Sequence, residues 1–227
     1  MTPRILIATP LLRSYGRAIT AAHRLVRRAP CPVEWLTITE QPYPGYDYRN
    51  VLFANERAAD FMRWKGYSHL LMLEDDMVPP PDALGKLLSC EAPVAYGLYC
   101  WRRGGRHLWS AYRAGQSLAQ ADPVGSAVAF AAGDVRETHG VGFGCALIQR
   151  DVLGAVPFRL PDDYDRGGAC TDWMFSLDCA ERGITQVSHF GVVCGHIAME
   201  PSARVIWPSL DSDGRPAHRY EYFEVPQ

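Results

Sequence analysis

Apolar positions in the first hundred residues follow two alternating rhythms. Short unbroken runs, "RILIATP" from residue 4, "VEWLTIT" from 33 and "HLLML" at 69–73, predict strands. The last is apolar on both faces, as expected of a parallel strand in the centre of a sheet. Between them, "SYGRAITAAHRLVRRA" places Ile19, Ala22, Val26 and Ala29 three or four apart, one stripe of a helix whose arginines face water. "VLFANERAADFMRWK" at 51–65 predicts a second helix, stopped by Gly66 where a left-handed cap is needed. Further on, "DALGKLL" predicts a short helix, and "VAYGLYCW" and "VGFGCALIQ" predict strands. "TDWMFSLDCAERG" predicts a helix closed by Gly183, and "ITQVSHFGVVCGHI" a last strand region. Residues 105–138, rich in Gly, Ala and Ser, show no period and are expected to be mostly loop with a strand or two. The tail from 201 to 227 has no period either and is expected to pack over the domain. Alternating strands and helices imply an α/β fold with a mixed, mostly parallel central sheet flanked by helices. With no repeats or interdomain linker, residues 1–227 read as one domain.

Composition narrows the classes. The 227 residues are 48% hydrophobic and 21% charged, enough for a real core. A formal charge of −2 argues against a generally basic nucleic-acid binder, although Arg24, Arg27 and Arg28, and again Arg102, Arg103 and Arg106, form local basic clusters. No apolar run approaches the ~20 residues of a bilayer crossing, and the amino terminus carries arginines instead of a leader; a cytoplasmic protein is expected. The seven cysteines are odd in number, form no CxxC pair and sit partly in apolar runs, so they read as reduced core thiols.

Chemistry concentrates in "HLLMLEDDMVPPPDAL". An apolar strand runs into Glu74, Asp75 and Asp76, and ligands in open α/β sheets bind at the carboxyl ends of strands. Adjacent carboxylates repel one another unless a cation sits with them, although an aspartate capping a turn before prolines explains the pattern as simply.

The surrounding motifs resemble the nucleotide-sugar-dependent glycosyltransferases of the GT-A (Rossmann-like) fold, family 2-like group. "LLMLEDDMVPPPDALGKLL" is similar to that family's DxD segment, with Glu74 at the first Asp and Asp76 at the second. "GVGFGCALIQRDVL" at 140–153 resembles its "GxGxxLIxRxVL" segment. "TDWMFSLDCAERG" fills the place of its "EDxxF…G" helix, and His196 of "CGHI" follows Asp172 by 24 positions (172 to 196). "ANERAADFMRWKGYSHLLMLEDD" resembles the helix leading to DxD and puts Asn55 at an Asn position. The resemblance spans roughly residues 4 to 200. Thr171 replaces the usual Glu before the catalytic Asp, and Glu74 the first Asp of DxD, departures that bear on sugar and acceptor preference.

The resemblance implies a metal-dependent transferase of hexose or pentose from a nucleotide sugar, with UDP favoured, to an acceptor hydroxyl. Mn²⁺ or Mg²⁺ is the implied cofactor, since hard oxygen donors with one imidazole suit either ion. Asp76 and His196 are the candidate metal ligands, with His189 as backup and a core histidine as the plainer account of His196. Glu74 and Asp75 would reach metal, water or ribose; Thr9, Pro10, Arg49 and Asn55 are candidate nucleotide contacts. Asp172, at a helix start that favours an ionised carboxylate, is the candidate base of an inverting reaction, or else a plain N-cap. Arg102, Arg103 and Arg106 in "WRRGGRHLW" suit a basic loop over the donor diphosphate or a nucleic-acid acceptor, and Trp173 the acceptor side. The implied acceptor is open, a saccharide or a hydroxylated base in viral DNA among the range. A sugar-phosphate nucleotidyltransferase is the rival enzyme, but "ATPLLRSYGR" lacks its Gly-rich basic loop. A non-catalytic nucleic-acid- or protein-binding module with a vestigial site would not need Asp76, Asp172 and His196 together.

Overall fold

A computed structural model describes residues 2–11, 13, 15–45, 47–101, 108–113, 115–139, 142–164, 171–200 and 202–224. The chain opens with β1 (Ile5–Pro10), α1 (Gly16–Arg27), β2 (Val33–Ile38), α2 (Tyr48–Lys65) and β3 (His69–Leu73). Then come β4 (Met77–Val78), α3 (Ala83–Ser89), β5 (Val94–Leu98), the small hairpin β6 (Tyr112–Arg113) and β7 (Gln116–Ser117), α4 (Leu118–Ala121), α5 (Pro123–Ala132) and β8 (Val135–Glu137). The last part holds β9 (Cys145–Gln149), α6 (Arg150–Ala155), α7 (Thr171–Glu181), β10 (Gln186–Val193), β11 (Gly195–Ala198), β12 (Arg204–Leu210) and β13 (Pro216–Tyr222).

The main sheet runs β2-β1-β3-β9-β5-β10-β8. Its β2, β1 and β3 pair in parallel, as do β5 and β10, while β9 lies antiparallel between β3 and β5 and β8 antiparallel at the edge. This is the mixed, mostly parallel Rossmann-like arrangement expected, with one refinement: β3 is central and apolar from Leu70 to Leu73, yet only its β1 side is parallel. Alternation sorts the strand residues between two cores. Leu6, Ala8, Leu70 and Met72 face α2 and α7, meeting Ala54, Ala58, Met62 and Phe175; Ile5, Ile7, Leu71 and Leu73 face α1 and α3, meeting Ala22, Leu25, Leu84 and Leu87. Gly66 ends α2 at φ 69°, where a side chain would be strained, as its position after the helical stripe predicts.

One expectation is corrected. Residues 105–138 hold the helix α5, capped at its start by the Asp122 side chain accepting from Gly125 N–H, with Pro123 in its first turn and Gly133 at φ 72° beyond its end. Within the tail, β12 and β13 form a hairpin that joins β11 and β4 in a second sheet, β13-β12-β11-β4. Among the described residues no helix is long and apolar enough to cross a membrane, and Cys31, Cys90, Cys100, Cys145, Cys179 and Cys194 are free thiols.

Candidate functional site

The acidic turn joins the two sheets. After β3 leaves the main sheet, Met77 N–H closes the turn on Glu74 O at 3.2 Å, and Glu74 N–H is held by Gly144 O at 3.2 Å. The chain then enters β4, whose Met77 lies opposite His196 and whose Val78 lies opposite Gly195 of β11. Ile197 N–H donates to Asp76 O at 2.9 Å. This short antiparallel pairing, spanning more than a hundred residues of sequence, carries His196 to the acidic turn.

His196 Nε2 lies 3.5 Å from Asp76 Oδ2, with both side chains buried. Its Nδ1 lies 2.7 Å from the Cys100 carbonyl, which can only accept, so Nδ1 carries the proton. In the neutral ring Nε2 is then a bare lone pair turned toward a carboxylate oxygen, and among the described residues it makes no hydrogen bond. Two electron-rich atoms so placed repel unless a proton or a cation lies between them. An imidazole whose second nitrogen donates to a backbone carbonyl is also the usual posture of a metal-ligating histidine. The donors present, one carboxylate and one imidazole with Asp75 beside them, thus fit a hard divalent cation. Among the described residues no three His, Cys, Asp or Glu side chains gather as a complete metal cage, and a bound diphosphate or water could supply further oxygen ligands. His189 is elsewhere: its Nδ1 accepts from Gly191 N–H at 3.1 Å, and burial, with Lys86 adding to it, lowers its pKa.

Arg13, which no sequence motif marks, also reaches this turn. Its backbone N–H donates to Asp75 Oδ2 at 2.5 Å, and its guanidinium Nη2 lies 3.0 Å from Asp76 Oδ2 and 3.5 Å from Asp75 Oδ1. The arginine is 42% exposed, whereas the two aspartate side chains are 4% and 2% exposed.

On the other side of the turn, a cavity of about 130 Å³ opens between β1, β2 and α1, lined by Thr9, Ala18, Ile19, Trp35, Glu74 and Asp75 among others. Thr9 Oγ1 accepts from Trp35 Nε1 at 3.0 Å, which fixes the indole as one wall. Pro10 ends β1 and is buried beside it. Arg49 spends its fork on Asp47 at 2.6 to 3.1 Å and lies over the Tyr43 ring, while hydrogen bonds from Arg49 hold the Asp47 pKa down. Asn55 is buried and donates through Nδ2 to Thr171 Oγ1 at 2.8 Å, tying α2 to the first residue of α7.

Asp172 follows in that first turn, its Oδ1 accepting from Trp173 N–H at 2.7 Å. The Trp173 ring meets Tyr112 edge-on at 5.8 Å. Asp172 shares its surroundings with Tyr99: a Cβ on Gly142 would fall 2.3 Å from the Tyr99 hydroxyl and 2.7 Å from Asp172 Oδ2. The Tyr99 ring stands edge-on to His196 at 5.6 Å, and a Cβ on Gly144 would meet that ring at 2.8 Å. Tyr99 therefore spans from the candidate base to the candidate metal ligand, over two positions where only glycine fits. The sequence signal for this lay in "GVGFG", whose glycines mark a close approach; nothing in it named the tyrosine. Beneath α7, Tyr96, Ser176 and Gln186 form a buried network, with Tyr96 Oη and Ser176 Oγ donating to Gln186 Oε1 at 2.8 and 2.6 Å. Arg102, Arg103 and Arg106 lie outside the described residues; their flanks are joined by Trp101 N–H donating to Leu108 O and by a Cys100–Trp109 bridge.

No protein-family model and no curated protein matches the sequence. Among solved structures, the crystal structure of A197 from STIV matches with a TM-score of 0.56 at 17% identity, covering 99% of this chain and 98% of that one. That likeness shows a shared fold over the whole length. Weaker matches are a glycosyltransferase involved in the glycosylation of the major capsid of PBCV-1 (TM-score 0.38, 11% identity, 67% of this chain and 63% of that one) and mannose-1-phosphate geranyltransferase from Thermus thermophilus (TM-score 0.41, 12% identity, 83% and 74%). Neither carries weight on chemistry at such TM-scores.

Proposed function

We propose that the chain is a divalent-metal-dependent glycosyltransferase that moves a sugar from a nucleotide-sugar donor, a UDP-sugar in first place, to an acceptor hydroxyl. The observation that carries this reading is the convergence of His196 Nε2 and Asp76 Oδ2, 3.5 Å apart and buried, with the imidazole oriented by Cys100 O. Asp76 and His196 would hold Mn²⁺ or Mg²⁺, whose charge would anchor the donor diphosphate and offset the negative charge that grows as it leaves. The Thr9–Trp35 cavity would take the base and ribose, with Glu74 and Asp75 at its rim. Asp172 would accept the proton of the acceptor hydroxyl while that oxygen bonds to the anomeric carbon and the carbon–diphosphate bond breaks, its electron pair leaving with the diphosphate. Attack opposite the leaving group inverts the anomeric configuration. The motif resemblance and the placement of Asp172 and His196 around Tyr99 support the assignment.

Arg13 favours a second reading, in which the aspartates are a structural ion-pair cluster without metal. Calorimetry separates the two. In the first, UDP binds with Mn²⁺ and loses affinity in excess chelator and in Asp76→Ala. Tight UDP binding that neither chelator nor Asp76→Ala disturbs would overturn the metal assignment.

A further inference from the structure

The guanidinium of Arg13 and the imidazole of His196 reach the same atom, Asp76 Oδ2, from 3.0 and 3.5 Å. A cation lodged between His196 Nε2 and that oxygen would compete with the arginine for it. We infer that Arg13 is a displaceable internal counter-ion: it neutralises the acidic turn, competes with the divalent cation for Asp76, and once displaced turns its fork to the donor diphosphate. The inference rests on the function proposed above.

Three features support it. Three consecutive carboxylates, two of them buried, are costly without a neighbouring positive charge, so the turn needs a cation at all times. Arg13 is held through both its main chain and its head group. Its backbone N–H is held by Asp75 Oδ2 at 2.5 Å, while its guanidinium, 42% exposed, meets Asp76 Oδ2 at 3.0 Å, Asp75 Oδ1 at 3.5 Å and the Tyr15 ring at 5.5 Å. The half-exposed head group can swing while the main chain stays docked. Finally, Asp75 both lines the cavity between β1 and β2 and holds the Arg13 backbone N–H, so the arginine is anchored to a residue at the rim of the candidate nucleotide pocket. From there a planar guanidinium can bind two phosphate oxygens at once, which a lysine cannot do.

The test measures two affinities in full-length wild type, Arg13→Ala and Arg13→Gln, with melting curves to confirm that each variant is folded. Mn²⁺ alone is titrated first, then UDP at saturating Mn²⁺. Competition predicts opposite signs. Mn²⁺ should bind the variants about ten-fold tighter, the low end for a charge-assisted hydrogen bond whose arginine is half in water, and UDP about ten-fold more weakly. Mn²⁺ binding to the variants but not measurably to wild type would also support competition. Unchanged Mn²⁺ affinity, in a wild type that does bind Mn²⁺, overturns this inference alone. Weakened Mn²⁺ binding in both variants would make Arg13 a support of the site and also overturn it. If neither wild type nor variants bind Mn²⁺, whether UDP is present or absent, the proposed function falls and the inference with it.

Discussion

Replacing Thr171 by valine should loosen the helix that carries Asp172 while leaving the nucleotide pocket intact. Thr171 Oγ1 is the acceptor for Asn55 Nδ2 at 2.8 Å, and both residues are almost wholly excluded from water, at 0% and 1% exposure. Valine keeps the volume and the branching of threonine but removes the oxygen, stranding a buried amide N–H at a cost of about 1–3 kcal/mol. In a chain of this size each kcal/mol lowers Tm by about 2–4 °C, so a cost of about 2 kcal/mol predicts a loss of about 4–8 °C. Asp172 is the next residue, so the same change should relax its aim and reduce turnover by about ten-fold or more, since small misplacements of a reacting group are expensive. UDP affinity should hold, because neither residue lines the cavity between β1 and β2. The double variant Asn55→Leu/Thr171→Val removes both polar groups and should recover most of the stability, as apolar replacement of both partners is nearly neutral. Its turnover should stay low. Melting curves, calorimetry with UDP and turnover of a UDP-sugar on all three proteins make the test. A Thr171→Val protein with wild-type Tm and wild-type turnover would refute the argument that this hydrogen bond positions α7.

Asp172→Asn should keep fold and donor affinity, since the amide oxygen can still accept from Trp173 N–H, while transfer falls by about 10²-fold or more; transfer at the wild-type rate would place the base elsewhere. Gly142→Ala should cut turnover, because its Cβ would collide with the Tyr99 hydroxyl and Asp172 Oδ2, and adding Tyr99→Phe should restore part of it by removing the nearer atom. Loss of Tm with pH is expected on the acid side. Burial lowers the pKa of His69 and His189 in the folded chain, so the unfolded chain takes up protons first. The stability they contribute is whole above the ordinary histidine value of about 6.5 and is lost as pH falls below it; His69→Gln should flatten that slope in melting curves taken from pH 7.5 down to about 5.

Those parts of the fold whose polar and apolar residues obey a single local rule were readable from the chain. β1, β3 and β9 are apolar runs buried on both faces, and α2 ends on a glycine that must be left-handed. α5 obeys no such rule. Its sequence, "PVGSAVAFAA", is apolar on every side and leaves Val124 and Val128 exposed at 75% and 58%, so no 3.6-residue contrast marks it. Its cap residues, Asp122, Pro123 and Gly133, were the available signal. In the tail, the turn signal lay in "DSDG", where Asp211 Oδ1 accepts from Asp213 and Arg215 N–H and Gly214 adopts φ 72°. What obscured the hairpin is that β12 finds its inner partner in β11, a strand with only four residues, and that Pro208 interrupts its run.

The candidate site divides along the same line. Glu74 to Asp76 announce themselves because carboxylates at a strand end are conspicuous, and resemblance supplied Asp172 and His196. Which histidine meets Asp76, however, depends on β4, a two-residue strand that no period can reveal, pairing with β11. Asn55 shows the converse. Its place in the motif suggests a nucleotide contact, yet its amide is buried against Thr171, so any effect it has on the donor would pass through α7. Arg13 had no signal at all, because an arginine in a loop after a first strand is ordinary. Its significance comes only from sharing Asp76 Oδ2 with His196. A strand can end in three carboxylates because the fold delivers a cation, the Arg13 guanidinium, to the two buried ones. The same geometry makes that positive charge replaceable, and a binding site for a charged ligand needs a charge that can be exchanged.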